Sequence, residues 1–282
     1  MRYAVLALAG ALLLAGCSGG DEPDRTAGSS TPSATASDGA GASTSESPRA
    51  AAPARPKKDR CYRLDYTDAI APTNDGTPMP CKRAHTSRTV AVGDLDTVVD
   101  GHLLAVDSRR VRDQVAEQCP QRFAAYVGGS PDARRLSMLR PIWFTPTVEQ
   151  SDAGASWYRC DVVAIAGDER LANLTGDLRG VLGREEGRDR YGMCGTAEPG
   201  TPGFERVICS AKHTWRAVAT VPFEQDRYPG VDKARSAGDQ PCRDAGAAAA
   251  DGALDYRWGY EWPSAKKWRD GQRYGLCWAP DS

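Results

Sequence analysis

The sequence predicts an α+β protein made of two tandem small disulfide-stapled α+β domains after a disordered N-terminal tether. Three observations predict it. The pattern Cys-x3-His-Thr-x-Arg-x-Val-Ala stands twice, at residues 81–91 and 209–219. Beyond Cys17, the remaining cysteines fall into two similarly spaced sets, Cys61, Cys81, Cys119, Cys160 and then Cys194, Cys209, Cys242, Cys277. Between Cys17 and Cys61 the chain is mainly Ser, Thr, Gly, Ala, Pro and charged residues, too poor in large apolar side chains to offset the entropy of ordering.

Composition bounds the function classes. The 282 residues carry 36 Lys+Arg against 37 Asp+Glu, so no broad basic surface advertises a nucleic-acid partner. Nine Cys is an odd number, and in an exported chain one of them needs a role outside a disulfide.

The N-terminus supplies that role. Arg2, an apolar run over residues 3–14 and the box Leu14-Ala15-Gly16-Cys17 have the charge, core and small-residue order of an export signal. The run is too short to span a bilayer. The box resembles the bacterial lipoprotein signal, which implies a signal peptide over residues 1–16 and diacylation of Cys17, a two-chain anchor suited to stable membrane attachment. Residues 17–58 then read as a lipidated cysteine and solvated linker with a root-mean-square reach of about 35 Å. The folded part is expected on the extracytoplasmic side of the cell membrane.

Each four-cysteine set marks one copy, over residues 59–166 and 192–282, with a linker over residues 167–191. Four cysteines permit three pairings. The first two in each set flank a turn-rich stretch, residues 72–76 and 198–203, so first is paired with second and third with fourth. A loop the size of Cys194 to Cys209 contributes about 3 kcal/mol through chain entropy.

Valines just after each His predict a strand that the His opens or occupies. Val111, Val115, Cys119 and Phe123 step by four, a helix that turns Cys119 inward and that Pro120 is expected to break or restart. Late strands are expected at residues 139–144 and 157–165, and in the second copy at 256–262 and 273–278. In the linker, Leu171, Leu174, Leu178 and Leu182 suggest a short helix.

The chemistry is sparse. Cys-x3-His is half of a zinc ligand set, but the oxidising compartment and the need for the same Cys in a disulfide point to structural roles for His85 and His213. No cofactor or metal is expected. With three His and few candidate bases, the chain reads as non-enzymatic, and a hydrolase ranks third among the functions considered. Tyr256, Trp258, Tyr260 and Trp262 alternate, as on one face of a strand. That face serves the core or, alternatively, stacks on a cell-wall glycan. The side chains that could face a ligand are His85, His213, Trp258, Trp262, Trp268 and Arg273.

The order Cys, Cys-x3-His, helical Cys, then Pro263-x4-Trp268-x2-Gly271-x-Arg273-x3-Cys277 resembles the septum-formation domain of actinobacterial envelope proteins. The resemblance covers residue 61 to about 165 and residues 194–278. It implies a non-enzymatic role at the septum or envelope, with another envelope or division protein as partner. The first copy departs from the pattern, with Ser151 and Ser156 where the second has Trp268 and Arg273. Intact-mass analysis of the protein extracted from its host's membranes is expected to show acyl chains on Cys17, and non-reducing peptide mapping to show eight bonded cysteines. Free thiols or an unprocessed N-terminus would contradict the export reading.

Overall fold

The computed structural model describes residues 53–281. The signal segment, Cys17 and most of the expected tether lie outside the described residues. Residues 53–58, expected to end the tether, run along the first copy, where Arg55 pairs with Asp94.

The fold is mixed α+β with two main sheets and four disulfides. The first half comprises β1 (Cys61–Tyr62), α1 (Tyr66–Ile70), β2 (Ser87–Asp94), β3 (Val98–Val99), β4 (His102–Leu103), α2 (Arg109–Val127) and α3 (Pro131–Arg135). It ends with β5 (Leu139–Phe144), α4 (Val148–Asp152), β6 (Trp157–Gly167) and β7 (Arg170–Ala172). After α5 (Glu185–Tyr191) come β8 (Met193–Gly195), β9 (Arg206–Ile208), β10 (Trp215–Pro222), α6 (Val231–Ser236) and α7 (Asp239–Ala249). The chain finishes with β11 (Gly259–Glu261), α8 (Ala265–Arg269) and β12 (Tyr274–Pro280).

The duplication is visible in the topology. The first sheet runs β1-β2-β6-β5 and the second β8-β10-β12-β11 in the same sense, with β9 added beside β8 and β7 beside β6. Both antiparallel central pairs carry a register shift at the same motif position, around Val90 in β2 and Val218 in β10. In both copies the motif His stands two residues before the strand, as expected.

The disulfides are Cys61–Cys81, Cys119–Cys160, Cys194–Cys209 and Cys242–Cys277, the pairing that the turn-flanking pattern favours. In the second copy the first pair closes a true hairpin, β8 against β9. In the first copy the loop holds α1, and only an isolated bridge between Cys61 and Met79 remains. The other pair ties a helix to the last strand, α2 to β6 and α7 to β12.

Three expectations change. α2 runs unbroken through Pro120. Pro120 and Ala116 both face solvent, so water can satisfy the Ala116 carbonyl that Pro120 leaves unbonded. Val111, Val115, Cys119, Phe123 and Val127 pin the opposite face into the core on both sides of it. The strand expected over residues 256–262 shrinks to Gly259–Glu261, because only these residues pair with β12. The leucine-rich stretch 171–182 is not a helix. It contains β7 and a single 3-10 turn, Val181–Gly183, and its leucines point inward from irregular backbone.

That stretch is buried between the copies. Leu174, Leu178, Leu182 and Tyr191 belong to one apolar cluster with Val115 and Val162 of the first copy and Trp215, Leu276 and Trp278 of the second. α2 ends at Gly128, whose φ of 69° suits glycine and whose missing Cβ would meet Gly180 at 3.0 Å. A backbone seam joins the sheets: the Met138 N–H donates to the Tyr191 carbonyl at 2.7 Å and the Met193 N–H to the Leu136 carbonyl at 2.8 Å. Among the described residues no helix is long and apolar enough to cross a membrane.

The copies diverge at the centre of their sheets. β6 places Arg159 and Asp161 on either side of Cys160, where β12 has Leu276 and Trp278 around Cys277. Arg159 and Asp161 are both buried and lie 3.1 Å apart. The guanidinium sits 4.0 Å from the Tyr62 ring centre and 4.5 Å from that of Phe144, and donates to Asn74 at 3.0 Å. Burial pushes the Asp161 carboxyl up, while Arg159 and the Ser87 hydroxyl, 2.6 Å away, hold it back.

Removing one member leaves the other buried without its counter-charge, so Asp161→Ala is expected to cost about 3 kcal/mol or more in urea unfolding. The double change Arg159→Leu with Asp161→Leu, closer to the apolar second copy, is expected to cost clearly less. A double variant as unstable as Asp161→Ala would show that the charge pair is not what sets the cost.

Candidate functional site

The two motif histidines are built alike. In each, a turn after the preceding cysteine brings Nδ1 to the carbonyl two residues back, Arg83 at 2.8 Å for His85 and Ala211 at 2.7 Å for His213. His85 is buried, and its backbone bridges Leu174. His213 is only partly covered, and its Nε2 lies 3.3 Å from an Asp281 carboxylate oxygen. Position 281 corresponds to Ala164 in the first copy, so this contact belongs to the second copy alone.

The Asp281 carboxylate is also held by the Arg216 guanidinium, which reaches Asp189 at 3.1 Å on its other side. Burial raises the Asp281 pKa, but Arg216 and His213 outweigh it and leave the group below the ordinary carboxylate range.

Ligand atoms of Cys194, His213 and Asp281 lie within 4.8 Å of one another, a spacing that could suit a metal. The donor chemistry does not fit one. The Cys194 sulfur is bonded to Cys209 rather than free as a thiolate, and Asp281 already balances Arg216. Nor does the cluster form an acid–base pair with a free nitrogen, since both ring nitrogens of His213 are engaged. A Ser-x-x-Lys spacing occurs at Ser264 and Lys267, but the Ser264 hydroxyl caps α8 and the Lys267 ammonium pairs with Glu261 at 2.7 Å.

The aromatic candidates serve the interior or are covered by neighbours. Trp268 is buried, packs edge-on to Phe223 and Tyr228, and donates from Nε1 to the Asp226 carbonyl at 3.1 Å. Arg273 stacks over the Trp268 ring at 4.5 Å and donates to the same carbonyl at 2.7 Å. The pair therefore fixes the loop after β10. Trp258 packs against the Cys242–Cys277 cluster, and Arg235 lies 4.9 Å over Trp262. Of the four alternating residues only Tyr260 lies within a strand, and its ring sits 6.1 Å from that of Trp262; all four are partly buried.

The structure instead assembles a cleft of about 840 Å3 between the copies. Its origin is the seam. Past Met138 the first copy continues as Leu139-Arg140-Pro141 in β5, paired with β6, while the segment facing it across the seam turns into α5 at Tyr191. The first copy contributes Tyr66, Met138, Arg140, Ile165 and the β6–β7 turn. The second contributes Met193, Phe204, Glu205, Arg206 and Lys267.

Charges in the cleft are arranged by side. At the turn, Glu205 accepts from the Asp168 N–H at 3.0 Å and from Arg170 at 3.2 Å, and these contacts hold its carboxyl below the ordinary range. On the other side, Glu261 on β11 serves both Arg206 and Lys267. Burial pushes the Glu261 carboxyl up, but the two cations outweigh it.

Arg140 and Arg206 were not identifiable as a pair from sequence. They stand on strands of different copies, and only an Arg-Pro step in an edge strand marks the first.

A family model described as Septum formation matches residues 31–147 and, in an overlapping second match, residues 107–277. No curated protein and no solved structure matches the chain.

The depressed Asp281 pKa has a definite sign. Its contribution to stability is present above the unfolded value, near about pH 4, and is lost as pH falls through the lower folded value. Asp281→Asn is thus expected to cost about 1 kcal/mol at pH 7 for this partly exposed pair. The variant should also lose less stability than the wild type on acidification to about pH 3. Equal acid sensitivity of the two proteins in urea unfolding would show that Asp281 is not the responsible group.

Proposed function

Because the chain belongs to the Septum formation family, whose matches together span residues 31–277, we propose that it is a lipid-anchored, non-catalytic envelope protein of actinobacterial type. It receives another envelope or division component on the extracytoplasmic side during cell division. The family match is the observation that carries this reading. Four disulfides support the oxidising compartment, and the Leu-Ala-Gly-Cys box supports acylation at Cys17.

The cleft between the copies is the receiving site in this proposal. Neither copy builds it alone, and its volume lies in the range of sites that bind small ligands or short segments. The engaged nitrogens of His213 support a binding role over a hydrolytic one.

A fluorescent fusion of the full chain in its host is expected to concentrate at division sites and to sediment with membranes, accessible to external protease. Cys17→Ser is expected to release it from the membrane fraction. An even distribution over the cell periphery would overturn the division role, and membrane retention of Cys17→Ser would overturn the anchor.

A further inference from the structure

We propose that the cleft binds a small ligand carrying a single oxyanion head, a carboxylate or a phosphate, held by Arg140 and Arg206, with an apolar body lying over Met138, Met193 and Phe204. This deepens the reading of the cleft as a receiving site and rests on it.

Arg140 carries the inference. Its Nη1 donates to the Ser137 and Leu139 carbonyls, both at 2.7 Å. Two backbone acceptors fix the guanidinium but leave its charge unanswered. Among the described residues no carboxylate lies within ion-pair distance of it, whereas Arg170, Arg206 and Lys267 each have one. Burial, and the neighbouring Arg206 from the other copy, depress its pKa, with Tyr274 working the other way.

Bringing two guanidiniums together in a partly dry cleft is unfavourable unless a negative group joins them. Glu261 takes both the Nε and Nη2 donors of Arg206 and is shared with Lys267, so this side of the cleft keeps a positive surplus to which Arg206 adds charge, while the paired donor edge is left to Arg140. A guanidinium presents paired N–H donors that match a carboxylate or phosphate edge, which an ammonium cannot do.

The remaining walls narrow the ligand class. Asp168, Glu169 and Glu205 line the same cleft and would repel a polyanionic chain. A compact head with one site of charge avoids them. The thioethers of Met138 and Met193 with the Phe204 ring supply an adaptable apolar surface for an uncharged remainder.

The chain has four Met, so methyl-13C labelling places reporters in the cleft at Met138 and Met193 and a control outside it at Met79. The probes are phenyl phosphate, phenylacetate, inorganic phosphate and neutral benzyl alcohol, titrated into the disulfide-intact exported chain. Saturable shifts are expected at Met138 and Met193, not at Met79, with phenyl phosphate or phenylacetate. The stronger of the two identifies the head group.

Inorganic phosphate should bind more weakly, benzyl alcohol not measurably, and added salt should weaken the charged probes only. Arg140→Gln is expected to weaken the preferred probe at least about ten-fold, and Arg140→Lys to restore part of the loss. An unchanged Met79 resonance and intact disulfides would confirm that both variants fold.

Binding of benzyl alcohol as tight as that of the charged probes, or an Arg140→Gln variant that binds like the wild type, would overturn the oxyanion site while leaving the cleft a receiving site. The absence of any saturable shift with all four probes would overturn both. The septal and anchoring roles would be untouched, because localisation tests them separately.

Discussion

Burial of Leu174, Leu178, Leu182 and Tyr191 between the two sheets is the constraint on which the rest of the molecule depends. A unit of about a hundred residues buries a limited share of its surface, and here neither copy completes its core from its own strands and helix. The connecting segment fills the space between them. Its backbone is irregular, yet its polar groups are paired: the Leu174 N–H donates to His85 and the Gly180 N–H to Tyr126. The seam from Leu136 to Met193 then joins the two sheets through their backbones. The result is one shared interior stapled at four places.

Duplication followed by divergence explains why equivalent positions do different work. Around the disulfide that ties helix to last strand, the first copy buries Arg159 against Asp161 with aromatic rings on the guanidinium. The second fills the corresponding space with Leu276 and Trp278, the latter edge-on to Phe204 at 5.2 Å. The motif histidines diverge similarly. His85 is sealed beneath the connecting segment, while His213 shares Asp281 with Arg216. The conserved part of each pair is the backbone frame, and the variable part is the way charge is balanced within it.

The cleft is a product of that asymmetry. The pairing ends where the partner segment becomes α5 at Tyr191, and Arg140 is left lining the gap with Arg206 of the other copy. A cleft lined by residues of both copies is available only to the tandem arrangement.

The residues that determine structure through local or covalent rules were legible in the sequence. Cys spacing, the twin Cys-x3-His motif and the valine runs located β2, β5, β6, β10 and the disulfide partners, because strand propensity and turn-flanked cysteines act over short distances. The helix around Cys119 was legible from its four-residue stripe, although not its passage through Pro120, which depends on that residue facing water. The leucines of the connecting segment were visible as apolar residues, but their near-helical spacing suggested the wrong element, since burial between two sheets needs no helix. Trp268 and Arg273 were recognisable as a pair, yet only the folded loop shows that both hold the Asp226 carbonyl. Arg140 and Arg206 lie 66 positions apart on strands of different copies. Their place in one cleft was decided by the seam, since tertiary packing alone brings like charges from distant segments together.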